Sequence, residues 1–84
     1  MAEIVMYTKD YCPFSKEAKA FFEEKGKNYS EIQIQDDAVV AREMEEKSGG
    51  RTDTPQIFVN GSHIGSFDDI KALEATGNLD ELLK

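Results

Sequence analysis

The sequence predicts an α/β protein: a four-stranded mixed sheet with helices on its faces, in the order β-α-β-α-β-β-α. Three observations carry this. Short apolar runs alternate with amphipathic stretches at helical spacing. The first three elements form a β-α-β unit, which implies parallel strands joined by a right-handed crossover. The dipeptide Asn60-Gly61, set between two short β-type runs, marks a tight antiparallel hairpin. At 84 residues, the chain has room for one domain, 1–84, and a single core.

Each element has its own signal. The run Ile4-Val5-Met6-Tyr7 within 3–8 reads as a strand buried on both faces. Residues 13–25 read as a helix, with Pro13 in the first turn, Gly26 at the stop, and Phe14, Ala18, Phe21 and Phe22 on the inner face. From 29 to 34, Ile32 and Ile34 alternate with Glu31 and Gln33, the pattern of a half-exposed edge strand. Asp36 is the expected N-cap of a second helix reaching about Ser48. Its inner stripe is Val40, Met44 and Lys47, and Gly49-Gly50 ends it. Residues 56–59 form the next apolar strand, and His63-Ile64 pairs back on it. Ser66 and Asp69 are spaced as a capping box for a short helix carrying Ile70 and Leu73. Asn78 and Glu81 repeat that spacing before Leu82-Leu83. The strands of Ile4 and Ile57 are the most continuously apolar and belong at the centre of the sheet.

Composition narrows the function. Acidic residues outnumber basic ones 17 to 10, for a net charge of −7, which argues against binding a nucleic-acid backbone. The longest apolar run is far too short to span a bilayer. No export signal is visible, so the cytoplasm is the expected compartment. A small, highly charged chain is expected to be a monomer. The single cysteine, Cys12, rules out an internal disulfide, and with one histidine, His63, no Cys-rich zinc site can be assembled. His63 itself reads as a hairpin residue without a ligand, and Glu43, Glu45 and Glu46 read as a solvated helix face.

The chemistry concentrates between the first strand and the first helix, in Thr8-Lys9-Asp10-Tyr11-Cys12-Pro13-Phe14-Ser15. Ligands of α/β folds bind where strand ends meet helix N-termini. Cys12 directly precedes Pro13, so its sulfur stands at the positive end of the helix, and Lys9 is close enough in sequence to add a cation. Both effects favour a thiolate, the nucleophilic form of cysteine. Ser15 lies one turn in, within reach of the sulfur. A lone cysteine is more often a small buried hydrophobe; the polar loop, Pro13 and Lys9 favour a reactive one here.

These residues carry a resemblance. Tyr7-Thr8-Lys9 followed by Tyr11-Cys12-Pro13-Phe14, then Gly50-Arg51-Thr52-Asp53-Thr54-Pro55-Gln56-Ile57-Phe58, then His63-Ile64-Gly65 leading into Asp68-Asp69, together resemble the glutaredoxins, in particular the small bacterial type. The resemblance runs along essentially the whole chain. It implies a thioredoxin fold and a thiol–disulfide oxidoreductase with glutathione as co-substrate, acting on glutathionylated or disulfide-containing proteins and needing no metal. It implies a nucleophilic role for Cys12, aided by Lys9 and Ser15. It implies glutathione contacts from Lys9, Tyr11, Phe14, Arg51, Thr54, Pro55, Ser66, Phe67, Asp68 and Asp69. In detail, Thr54 before a cis-Pro55 would pair with the backbone of the glutathione cysteine. The start of the helix at Ser66–Asp69 would hold the γ-glutamyl end, and Lys9 with Arg51 would meet the glycyl carboxylate.

The chain also departs from that family pattern. Ser15 stands where dithiol members carry a second cysteine. Asp53-Thr54-Pro55 replaces the commoner Thr-Val-Pro and brings an extra carboxylate toward an anionic ligand. Ser66 replaces a usual glycine, and Phe67 a smaller residue. Serine cannot resolve a mixed disulfide, so the resemblance points to the one-cysteine route. Two alternatives stand beside it: a glutathione-ligated iron–sulfur scaffold, which Pro13 after Cys12 disfavours, and a glutathione-independent electron donor to a reductase, which the missing second thiol disfavours.

Overall fold

The computed structural model describes residues 2–84. The elements are β1 (Ile4–Thr8), α1 (Pro13–Glu24), β2 (Ser30–Gln33), α2 (Ala38–Lys47), β3 (Gln56–Val59), β4 (Ser62–Gly65), α3 (Phe67–Ala75) and α4 (Asn78–Leu82). The expected order therefore holds, with the terminal turn formed as a short fourth helix. The sheet order is β2-β1-β3-β4. β1 runs parallel to β2, with Met6 opposite Glu31, and antiparallel to β3, with Met6 opposite Ile57. The two most apolar strands are central, and β2 takes an edge with only Ile32 half-buried along it.

Side-chain alternation along β1 and β3 divides the interior into two layers. Ile4, Met6, Ile57 and Val59 face α1, α3 and α4, where they meet Ala18, Phe22, Ile70 and Leu79. Tyr7 and Phe58 face the other way and pack with Ile34 and Met44 of α2. Phe22, Met6, Ile57, Ile70 and Leu79 are fully buried, and burial of each such side chain is worth about 1.5–3 kcal/mol. Phe21 is only partly buried and bridges Phe22 and Phe67 through edge-on ring contacts. The β3–β4 hairpin turns through Asn60 (φ 52°) and Gly61 (φ 84°), the paired left-handed geometry that an Asn-Gly turn provides. No helix among the described residues is long and apolar enough to cross a membrane.

Several local expectations give way. The N-cap of α2 is Asp37, not Asp36: its carboxylate accepts the N–H groups of Val39 at 3.0 Å and Val40 at 3.2 Å. With two aspartates in a row, periodicity alone does not choose the cap. Gly77, with φ 79°, precedes α4, and Asn78 lies inside it. Phe14 is 56% exposed rather than on the inner face of α1. Lys47 is exposed, and the inner stripe of α2 comes down to Met44 with Val40 partly covered. Glu43 is not merely solvated, since its carboxylate accepts the Tyr7 hydroxyl at 2.7 Å. Burial and that carboxylate push the tyrosine pKa up to about 12.

The cap assignment is testable by urea unfolding. Asp37→Ala should cost about 1 kcal/mol of stability, while Asp36→Ala should cost less than about 0.5 kcal/mol.

Candidate active site

The turn from β1 into α1 is closed by the Cys12 N–H donating to the Lys9 carbonyl at 3.1 Å. Cys12 is the N-cap of α1, with extended backbone angles, and Pro13 occupies the first helical turn. Proline loses nothing there, because the first-turn N–H groups have no helical partner. The remaining free N–H groups, those of Phe14 and Ser15, stand at the sulfur.

The opposite wall comes from the strand leading into β3. The Thr54–Pro55 peptide is cis, and the Cys12 thiol donates to the Thr54 carbonyl at 3.6 Å. Ser15 is fully buried, and its hydroxyl oxygen accepts the Lys9 N–H at 3.4 Å. With its oxygen so engaged, the hydroxyl proton is free to point at the sulfur. Burial pushes the Cys12 pKa up, but hydrogen bonds from the Thr54 and Ser15 side chains and from the Ser15 and Phe14 N–H groups outweigh it and hold the thiol below its ordinary value. The lowering expected from the Lys9 charge is not among these leading influences. The Lys9 ammonium instead stands 6.0 Å from the centre of the Tyr11 ring. Hydrogen bonds from the Thr54 side chain and from the start of α1 are the leading influences that polarise this sulfur.

Two depressions flank the thiol. One, of about 240 Å³, is bordered by Phe14, Arg51, Thr54, Pro55, Ser66 and Phe67. The Ser66 N–H donates to Asp69 Oδ2 at 2.8 Å, and its hydroxyl donates to the same oxygen at 3.1 Å. Gly65 just before has φ 133°, and a Cβ there would collide with the Asp69 carboxylate, so this approach of hairpin to helix requires glycine. Asp68 is exposed on the rim and lies 3.4 Å from Lys71. The other depression, of about 410 Å³, is bordered by Lys9, Tyr11, Gln35, Arg42, Glu45 and Thr52.

The structure thus brings Cys12, Ser15, Thr54 and Pro55 together and places Phe14 and Tyr11 as exposed aromatic shoulders. Arg51 and Lys9 border different depressions. Arg51 lines the smaller depression, where its guanidinium forms a two-pronged bond with Asp53, Nε to Oδ1 at 3.0 Å and Nη2 to Oδ2 at 2.8 Å. Hydrogen bonding from Arg51 holds the Asp53 carboxyl below the usual carboxylate range. The extra carboxylate at this position is therefore matched by a cation two residues away. Arg42 shares the Lys9 depression and was not legible as a site residue, because α2 carries charges around most of its surface. Gln56 and His63, which the sequence reading left outside the site, form a part-buried polar contact of 2.7 Å behind the loop, which only the hairpin register reveals.

The comparisons with known proteins agree with this geometry. The glutaredoxin family model matches residues 4–64. The chain is 46% identical to Glutaredoxin 3 of Escherichia coli strain K12 over 84 residues, covering 100% of both sequences. The solution structure of glutaredoxin from Brucella melitensis matches with a TM-score of 0.86 and 42% identity, over 100% of this chain and 90% of that one. A buckwheat glutaredoxin–glutathione complex shares the fold, with a TM-score of 0.86 at 24% identity over 95% of this chain and 74% of that one. Similarity of this extent, joined to a polarised thiol at a helix start facing a cis-proline, means that the chain belongs to the glutaredoxin family of thiol oxidoreductases, on the thioredoxin fold.

Proposed function

We propose that the protein is a glutathione-dependent thiol transferase that works through Cys12 alone. One observation carries the reading. The only cysteine of the chain stands at a helix N-terminus against the Thr54 carbonyl, and the position one turn further on holds a buried serine that cannot displace a disulfide.

The reaction is two thiolate exchanges. The Cys12 thiolate attacks the glutathione sulfur of a glutathionylated protein. The protein thiolate leaves and takes a proton from solvent, and a Cys12–glutathione disulfide remains. A second glutathione thiolate attacks the glutathione sulfur of that disulfide, releasing oxidised glutathione and restoring Cys12. The lowered pKa serves both steps, because it raises the attacking thiolate fraction at neutral pH and makes Cys12 the better leaving group in the second.

The surroundings suit a tripeptide carrying a carboxylate at each end. The γ-glutamyl carboxylate would meet the free N–H groups at the start of α3, with Asp68 opposite its ammonium and Phe67 beneath. The Thr54 backbone would pair with the cysteinyl residue. Lys9 and Arg42 would meet the glycyl carboxylate across the larger depression. Arg51, engaged by Asp53 in the smaller one, would border the γ-glutamyl end instead. Phe14 and Tyr11 would rest against the ligand and against the protein that delivers it.

Turnover of a glutathionylated peptide, followed with glutathione as the reductant, tests the reading. The protein should release the free peptide thiol in proportion to glutathione, and Cys12→Ser should abolish this. Turnover that persists in Cys12→Ser, or none in the unaltered protein, overturns it. Alkylation of Cys12 against pH tests the electrostatics. A thiol whose pKa is lowered is charged above that value, so the rate should rise through a midpoint below the ordinary value of about 8.5. Ser15→Ala should move the midpoint up, whereas Lys9→Gln should move it much less.

A further inference from the structure

Behind the Thr54–Pro55 turn lies a part-buried polar relay that the thiol chemistry does not use. Gln56, the first residue of β3, is fully buried. Its Nε2 donates to the Asp53 carbonyl at 3.0 Å. Its Oε1 lies 2.7 Å from His63 Nε2, reached across the β3–β4 hairpin. A carbonyl can only accept, so the amide presents its NH2 to Asp53 and its oxygen to His63. His63 Nε2 must then carry a proton, as it does in one neutral tautomer and in the charged ring. The His63 ring is backed by Phe58 at 5.1 Å between centres.

The anchored carbonyl belongs to the same peptide unit as the Thr54 N–H. That peptide is trans, the next one being the only cis bond among the described residues, so its C=O and N–H point in opposite directions within one plane. Tying the carbonyl to a buried amide turns the N–H away from the interior. Among the described residues the Thr54 N–H has no hydrogen-bond partner, and Thr54 borders the smaller depression beside Cys12.

We infer that Gln56 and His63 are positioning residues: the Gln56 amide, oriented by His63, fixes the Asp53–Thr54 peptide plane and aims the Thr54 N–H at the backbone of the bound peptide. Neither side chain touches the reacting sulfurs. His63 is needed because the Gln56 oxygen would otherwise be buried without a donor, a state costly enough to swing the amide out of line. This role rests on the proposed transferase function, since it concerns how that ligand is held.

Paired substitutions at His63 test it. Glutamine can donate to the Gln56 oxygen, while leucine fills the space without a donor. In turnover of a glutathionylated peptide, His63→Leu should raise KM about threefold to tenfold, the worth of one hydrogen bond. The loss should fall on KM rather than kcat, and His63→Gln should restore most of it. Gln56→Met should match His63→Leu. The Thr54 amide resonance should shift in the leucine and methionine variants with the proteins still folded. If His63→Leu keeps the KM of the unaltered protein, or if leucine and glutamine weaken it equally, the positioning role is overturned while the transferase function stands. If the unaltered protein turns over no glutathionylated peptide, the function itself fails and takes the role with it.

Discussion

Everything at the site depends on the antiparallel pairing of β1 with β3. Met6 opposite Ile57 and Tyr7 opposite Gln56 bring the end of one strand beside the start of the other. Only that register sets Cys12 against Thr54, residues 42 positions apart in the chain. The register is enforced from both sides. A slip of β3 by one residue would turn Ile57 out of the layer it shares with Met6, Phe22 and Ile70, and into the one where Tyr7 and Phe58 now pack. The cost of mispairing falls on the hydrophobic layers, and the geometry of the thiol follows from it.

Given that frame, the thiol is tuned locally. Two helix-end N–H groups and the side chains of Thr54 and Ser15 stabilise the anion against the burial that opposes it. Such short-range donors are fixed by backbone geometry and are screened little by salt, unlike an exposed lysine. This assigns Ser15 a clear part in a chain without a second thiol. Its hydroxyl keeps the hydrogen bond that a buried group at this position can make, and gives up the ability to close an internal disulfide. The Asp53 carboxylate, at the edge of the smaller depression, is offset by the two-pronged bond from Arg51.

Much of this was legible in the sequence. Element order and the central strands followed from apolar runs and the Asn60-Gly61 turn, and the Cys12-Pro13 step pointed to the thiol that stands at the start of α1. What could not be read were contacts set by register and rotation. Asp36 and Asp37 are equivalent by composition, and only the entry angle of α2 selects the second. Phe14 satisfies a helical stripe on paper, but it sits in the first turn, beyond the edge of the sheet that the stripe packs against. Arg51 pairs with Asp53 and borders the smaller depression, while Lys9 borders the larger, a division that sequence spacing does not show. Gln56 and His63 lie in separate strands, and their contact exists only once β4 is laid against β3.

The decisive measurement is the intact mass of the protein after incubation with oxidised glutathione. A single glutathione added to the chain, removed by reductant and absent in Cys12→Ser, is the predicted result: it would mark Cys12 as the accepting thiolate and show that nothing in the chain resolves the adduct. A folded protein whose mass does not change would contradict it, because Cys12, polarised and half-exposed as it is, could not then be the acceptor of glutathione.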